Sequence, residues 1–310
     1  MSPSQELRTL IARHAGLKQR STVHTHIPGL IMASASSPTE PIHHVFEPVF
    51  VLVAQGTKKI MLGDRAFRYG AGEYLVVSVD LPIASRTETA SVDKPCLSIG
   101  FTLKPVTIAT LLLEIAGNTP SVAESDLPGL GVSKAPHELL DAVLRLVRLL
   151  DRPTDALVLV PSVERELLWW LLSGPQGGMV RQIGLADSRL SQISHTIRWI
   201  RASYAQALRI EDLSKMAGMS ISTFHRHFRA ITTMTPVQYQ KQVRLQEARV
   251  RLLSQQEDVA AVGFAVGYNS PSQFSREYSR FYGIPPGQDA ARLRGVAART
   301  SRSGRVPGRR

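Results

Sequence analysis

Among its 310 residues the chain has a single cysteine, Cys96. It can close no disulfide within itself, which fits a reducing compartment. No run of about 18 apolar residues occurs, so nothing reads as a membrane span. The opening residues MSPSQELRTLIARHAGLKQ lack the apolar core of a signal peptide. The expectation is a cytoplasmic chain that does not meet a membrane. No Ser-His-Asp order, phosphate loop or paired-carboxylate motif stands out, so the chain is not expected to be an enzyme. Acid is scarce in one part only. Residues 1–180 carry a net charge of −1, residues 181–310 carry +13, and the whole carries +12. A neutral part joined to a strongly basic one is the electrostatic footprint of a protein that meets a polyphosphate. The stretch 292–310 has seven arginines and no acid, but residues 181–289 keep +6 without it.

What is present is enough for a sizeable core. Hydrophobic residues make up 43% of the chain, and the length suits about two domains. Residues 1–20 read as a short amphipathic helix, with Leu7, Leu10, Ile11 and Leu17 on one side. Residues 22–40 are mixed, and their Ser and Pro mark loop. From about 42 to 105 the pattern is that of strands. Residues 49–54 are a continuous apolar run. Residues 58–62 and 65–69 flank Gly63-Asp64, a two-residue hairpin signal. Residues 74–79 and 97–103 are further strand candidates. Short strands with close turns predict a small barrel or sandwich, and this stretch resembles the cupin-like half-barrel of many bacterial regulators. Helical spacing returns at Leu139, Leu140, Val143, Leu146, Val147 and Leu150, then at Val163, Leu167, Trp170 and Leu171. The run Ser173-Gly174-Pro175-Gln176-Gly177-Gly178 breaks the chain.

Two later stretches repeat one plan. In residues 209–231 a first helix carries Leu213, Met216 and Ala217. Gly218 supplies a turn where positive φ is cheap only for glycine. Met219 packs into the bend and Ser220 is a good N-cap. The second helix then turns Ile221, Phe224 and Phe228 inward, leaving Ser222, Thr223, His225 and Arg226 outside. In residues 257–282 the same roles fall to Val259, Val262 and Val266, to Gly267, and to Tyr268. Ser270-Pro271-Ser272-Gln273 reads as a capping box with proline at the first helical position. Phe274, Tyr278 and Phe281 point inward, and Ser272, Gln273 and Arg276 outward. Gly283 and Pro285-Pro286 end the helix. Between the two stretches, Thr235-Pro236-Val237-Gln238 opens a helix running to about Ser254. Its length is about 28 Å at 1.5 Å per residue, against about 34 Å between successive major grooves of B-DNA. Two short helices, a glycine turn and a polar outer face are what a helix-turn-helix reader needs.

With these landmarks in register, residues 190–290 resemble the AraC/XylS family of bacterial transcription regulators. The carriers include Leu213, Ala217-Gly218-Met219-Ser220, Phe224, Arg226, Phe228, Pro236, Tyr239 and Arg244-Leu245. They continue with Val266-Gly267-Tyr268, Ser272-Gln273-Phe274-Ser275-Arg276 and Phe281-Tyr282-Gly283-Ile284-Pro285-Pro286. Residues 48–82 and 164–177 are similar to the AraC-type regulator N-terminal domain. The resemblance implies that Ser222, Thr223, His225, Arg226, Ser272, Gln273 and Arg276 meet double-stranded DNA. It also implies a small-molecule effector, contact with RNA polymerase and activation; a further reading makes the N-terminal part a homodimerisation unit with no ligand. Gly263 stands where the family usually has Ala, which is expected to loosen its helix by about 1 kcal/mol.

The expected architecture is α+β. A cupin-like β-barrel with flanking helices, for effector binding and dimerisation, occupies residues 1–180. An all-α double helix-turn-helix domain occupies 185–290, and a disordered basic tail 291–310. The competing reading is a cupin-type metalloenzyme with an accessory DNA-binding domain. His24, His26, His43 and His44 are the histidines close enough to suggest it, but no carboxylate stands at cupin spacing to complete a metal site. No cofactor and no metal are expected, and Cys96 is expected to be a buried, inert thiol.

Overall fold

The computed structural model describes residues 2–16, 20–115, 127–186, 188–254 and 258–303, with side chains through 294. Helix α1 (Pro3–Ala15) precedes β1 (Arg20–His24), β2 (Leu30–Ala35), β3 (Ile42–Phe46), β4 (Val49–Gln55) and β5 (Thr57–Leu62). Then come β6 (Arg65–Gly70), β7 (Glu73–Val77), β8 (Leu81–Thr89), β9 (Cys96–Thr102), α2 (Pro105–Glu114) and β10 (Leu130–Lys134). The remainder is helical: α3 (His137–Arg148), α4 (Pro153–Ser173), α5 (Gly177–Gly184), α6 (Arg189–Ala202), α7 (Ile210–Met216) and α8 (Ile221–Thr232). It ends with α9 (Pro236–Ser254), α10 (Val259–Ala265), α11 (Pro271–Tyr282) and α12 (Pro286–Ser303). The fold is therefore mixed, sheet-rich first and helical afterwards.

The strands form two sheets, in the orders β1-β2-β9-β4-β7-β10 and β3-β8-β5-β6. β4 lies between β9 and β7. That position explains its unbroken apolar run, because a central strand covered on both faces has no solvent side to alternate with. The hairpin at Gly63-Asp64 closes with Leu62 opposite Arg65. Gly63 takes φ 60° there, the positive value that such tight turns place on glycine.

The chain forms two compact units, one of Met1–Arg198 with Ile210–Pro236, the other of Trp199–Arg209 with Val237–Arg310. In the first, Leu7, Leu10 and Ile11 of α1 and Leu139, Val143, Leu146 and Val147 of α3 are buried. Helix α8 belongs to this unit as well. The Gly129 N–H donates to the Ile231 carbonyl (2.9 Å), and the Thr233 hydroxyl donates to the Leu62 carbonyl (3.0 Å). The end of α8 is thus tied to the β5–β6 hairpin.

Several elements were not legible beforehand. Residues 22–40, expected to be loop, contain all of β2 and most of β1. β2 reads LIMASA, so the sequence shows no period-2 alternation of apolar and polar residues, although burial alternates along Leu30–Ser34. β3 and β8 fall within the stretch read as strands but are not individually marked, and β10 and α2 lie where no element is expected. The tail was expected to be disordered from residue 291, yet α12 carries the helix through Ser303. Pro286 begins it, and Ala, Leu and Arg, all strong helix formers, continue it. Leu17, Glu257 and residues 304–310 lie outside the described residues.

Candidate functional site

Two helices present polar outer faces. The first is α8, in the first unit. Gly218 (φ 63°) turns the chain after α7, and the Met219 N–H donates to the Ser214 carbonyl (2.9 Å) to close the turn. Ser220 caps α8 by accepting from the Thr223 N–H at 3.3 Å. Leu213, Ala217, Phe224, Phe228 and Ile231 are buried, and the rings of Phe224 and Phe228 stand 5.5 Å apart. Opposite them, Ser222 and Arg226 are exposed, and Thr223 and His225 are half-buried. The Ser220 hydroxyl also donates to the Thr223 hydroxyl (2.9 Å) and lies 3.2 Å from that of Ser222. Two of the outward hydroxyls therefore help hold the cap. Ile221, expected inward, is 46% exposed, because it occupies the first helical position, ahead of the turn that packs. His227 was not anticipated. It is buried, 3.4 Å from the Arg226 guanidinium.

The second helix is α11, in the second unit. Asp258 caps α10 through the Ala260 N–H (3.0 Å), and Ser270 caps α11 through the Gln273 N–H (3.4 Å). Val262, Val266, Tyr268, Phe274 and Tyr278 form a buried cluster with Leu245, Ala248, Leu252 and Ala290. Ser272, Gln273 and Arg276 are exposed on the other side. The Gln273 amide does not close the capping box. It donates forward to Glu277 at 3.4 Å. Glu277 also accepts from the Tyr268 hydroxyl (2.9 Å) and pairs with Lys241 (3.0 Å). Burial pushes its carboxyl up, but the bonds from Lys241, Tyr268 and Gln273 outweigh that and hold it below the usual carboxylate range.

Arg244 of α9 holds the turn of the second unit. Its guanidinium donates to the carbonyls of Tyr204 (2.7 Å), Gln206 (2.9 Å) and Gly267 (2.7 Å). Gln240 donates to Tyr204 and Gln206 as well. Gly267 has φ 90°, and a Cβ there would run into the Ala205 carbonyl oxygen. Nothing but glycine fits. Arg244 stood among the family landmarks, but its role depends on carbonyls distant in sequence.

A cavity of about 590 Å³ lies between the two sheets of the first unit. Its walls include Ile31, Val49, Val51 and Phe46, with Arg20, Lys58 and His44 among the polar groups facing it. Burial pulls the His44 imidazole down to about 4. Arg20 and Lys58 add to that, and the bond to the Ile42 carbonyl opposes it. Burial lowers the Lys58 ammonium too, with Arg20 adding and Cys96 opposing. The buried Cys96 thiol is pushed up by burial, away from thiolate, against the opposing effects of Lys58 and Thr87. Among the described residues no three His, Cys, Asp or Glu side chains converge as a metal site. No described helix is long and apolar enough to cross a membrane.

Two family models match the chain. The AraC-type transcriptional regulator N-terminus covers residues 26–179, and a helix-turn-helix domain covers 213–292. The HTH-type transcriptional regulator YdeC of Bacillus subtilis is 23% identical over 273 residues, 86% of this chain and 88% of its own. The HTH-type transcriptional activator RhaS of Escherichia fergusonii is 26% identical over 159 residues. The match takes in 49% of this chain and about half, 56%, of RhaS. Crystal structures of ToxT from Vibrio cholerae share the fold. One has a TM-score of 0.54 at 10% identity, covering 84% of this chain and 97% of ToxT. Another, with unsaturated fatty acid bound, has a TM-score of 0.51 at 8% identity, covering 86% and 97%. With its N-terminal and helix-turn-helix parts both matched, this chain belongs to the AraC family of HTH-type transcriptional regulators.

Proposed function

We propose that this protein is a sequence-specific DNA-binding transcription activator whose N-terminal part holds a small-molecule effector. The observation that carries this reading is the pair of capped helices α8 and α11. Each buries its aromatics on one side and exposes serine and arginine on the other. Both serve as recognition helices of helix-turn-helix motifs, with the 19-residue α9 between them. Arg226 and Arg276 suit guanine in the major groove, and Gln273 suits adenine once it leaves Glu277. Ser222, Thr223, His225 and Ser272 complete the two faces. DNA reading is assigned to residues 185–290, and effector binding to a cupin-like barrel within 1–180. That ToxT holds unsaturated fatty acid supports a ligand role for the cavity between the sheets. RNA polymerase and a second copy of the chain are the further partners of this reading. The exposed Leu157 and Val158 of α4 offer the second copy an apolar surface.

Gel shifts with an operator of about 17–20 bp, long enough to span two grooves, test the assignment. Arg226→Ala and Arg276→Ala are each expected to cost about 1–3 kcal/mol on the specific site, with little change on random duplex. If both variants bind the two duplexes as the parent does, α8 and α11 are not the readers.

A further inference from the structure

We infer that the cavity between the two sheets takes an organic anion with an apolar body, its carboxylate-type head seated against Lys58 and Arg20. The inference rests on the effector-binding reading above and adds the effector's chemical class.

The cavity is a small-molecule pocket in size. Its apolar walls come from both sheets: Ile31, Val49, Val51 and Ile99 from one, Ile42 and Phe46 from the other. An ammonium in such surroundings costs free energy unless an anion meets it. Two other deep carboxylates among the described residues have cations beside them. Asp289 is paired with Arg249 and Arg292, and Glu164 faces Lys104 at 3.6 Å. Lys58 differs. Among the described residues it has no carboxylate partner, and its strand neighbours across the ladder are Tyr69 and Thr87, which bring hydroxyls and no charge. The cationic side of the cavity is reinforced by Arg20 on β1, exposed at its rim and likewise without a carboxylate. Among the described lining residues the one acid, Glu47, is exposed, and no described carboxylate perturbs Lys58 or Arg20. Burial keeps the Tyr69 phenol protonated, so it adds a hydrogen-bond donor beside the ammonium. Two cations and a phenol donor match an oxyanion. The apolar walls match a hydrocarbon or aromatic body. A neutral polyol would leave the ammonium unmatched.

Isothermal titration of the full chain with decanoate and with 4-phenylbutyrate, each against its primary amide, tests the inference. Both acids are expected to bind, and each amide at least tenfold more weakly. Lys58→Met should remove the preference for acid over amide, and Lys58→Arg should keep it. Circular dichroism of both variants separates lost binding from lost fold. Equal affinity for acid and amide overturns the inference. So does full affinity in Lys58→Met, or no binding of either acid by the parent chain. The gel shift is read on the same samples. Acid binding without specific DNA binding would sink the regulator reading alone, and the converse would sink the anion reading alone.

Discussion

Gly263 shows at residue scale how packing can reverse a propensity argument. In a bare helix, glycine costs about 1 kcal/mol relative to alanine. Here a Cβ at 263 would stand 3.0–3.2 Å from Phe274, a side chain with no exposure. Phe274 is boxed in by Tyr268 and Tyr278, at ring separations of 5.3 and 5.6 Å. It has little room to retreat, so overpacking of about 1–3 kcal/mol outweighs the propensity gain. Gly263→Ala is therefore expected to lower stability by about 1 kcal/mol in urea unfolding. A gain in stability would show that Phe274 yields readily to the added methyl group.

Among the elements, α9, α11 and α12 are joined by one buried carboxylate. Asp289 accepts from Arg249 (2.8 Å) and from the Tyr278 hydroxyl (2.9 Å), and pairs with Arg292. Burial pushes its pKa up, but the bonds from Arg249 and Tyr278 outweigh burial and hold it below the usual value. Because the folded pKa lies below the unfolded one, the stabilisation is complete above about pH 4, the unfolded value. It is lost as pH falls through the folded value. Asp289→Asn should cost about 3 kcal/mol at neutral pH, since it leaves Arg249 enclosed without its anion. The variant should also lose part of the parent's stability change below pH 4. An unchanged acid limb in the variant, followed by circular dichroism, would remove Asp289 from this role. This anchor also explains why α12 continues past residue 291: its first turn is held to the core.

For the whole molecule, charge decides how it meets a duplex. The excess of +13 over residues 181–310 is expected to make binding to random DNA fall steeply with salt. With 6–10 phosphates neutralised, affinity should drop about 10³–10⁵-fold between 50 and 200 mM salt. Fluorescence anisotropy on a random duplex measures the slope, and a flat dependence would mean that the basic residues do not track phosphate. At the same scale, the proposed effector cavity and the proposed reading helix α8 can be placed in the fold. Lys58 lies on β5, the hairpin after β5 meets Thr233, and Thr233 ends α8. The cavity and α8 therefore share one compact unit.

Sequence alone determined the features that local chemistry controls. The caps at Ser220 and Ser270, the hairpin at Gly63-Asp64, the positive-φ turns at Gly218 and Gly267 and the aromatic inner faces of α8 and α11 each depend on neighbours within a few residues. The same is true of the basic excess, which is a sum over residues. Tertiary structure alone decided the rest, because the rest depends on partners far along the chain. β2 escapes notice since Ile31 and Ala33, on its half-buried face, line the cavity and are apolar as well, which erases alternation in the sequence. The Gln273 amide turns to Glu277 because Tyr268 and Lys241 already hold that carboxylate in place. Arg244 serves carbonyls some 23 to 40 residues away. Lys58 is an ordinary strand residue until the two sheets close around it and leave its ammonium facing a largely apolar cavity, with no carboxylate paired to it among the described residues.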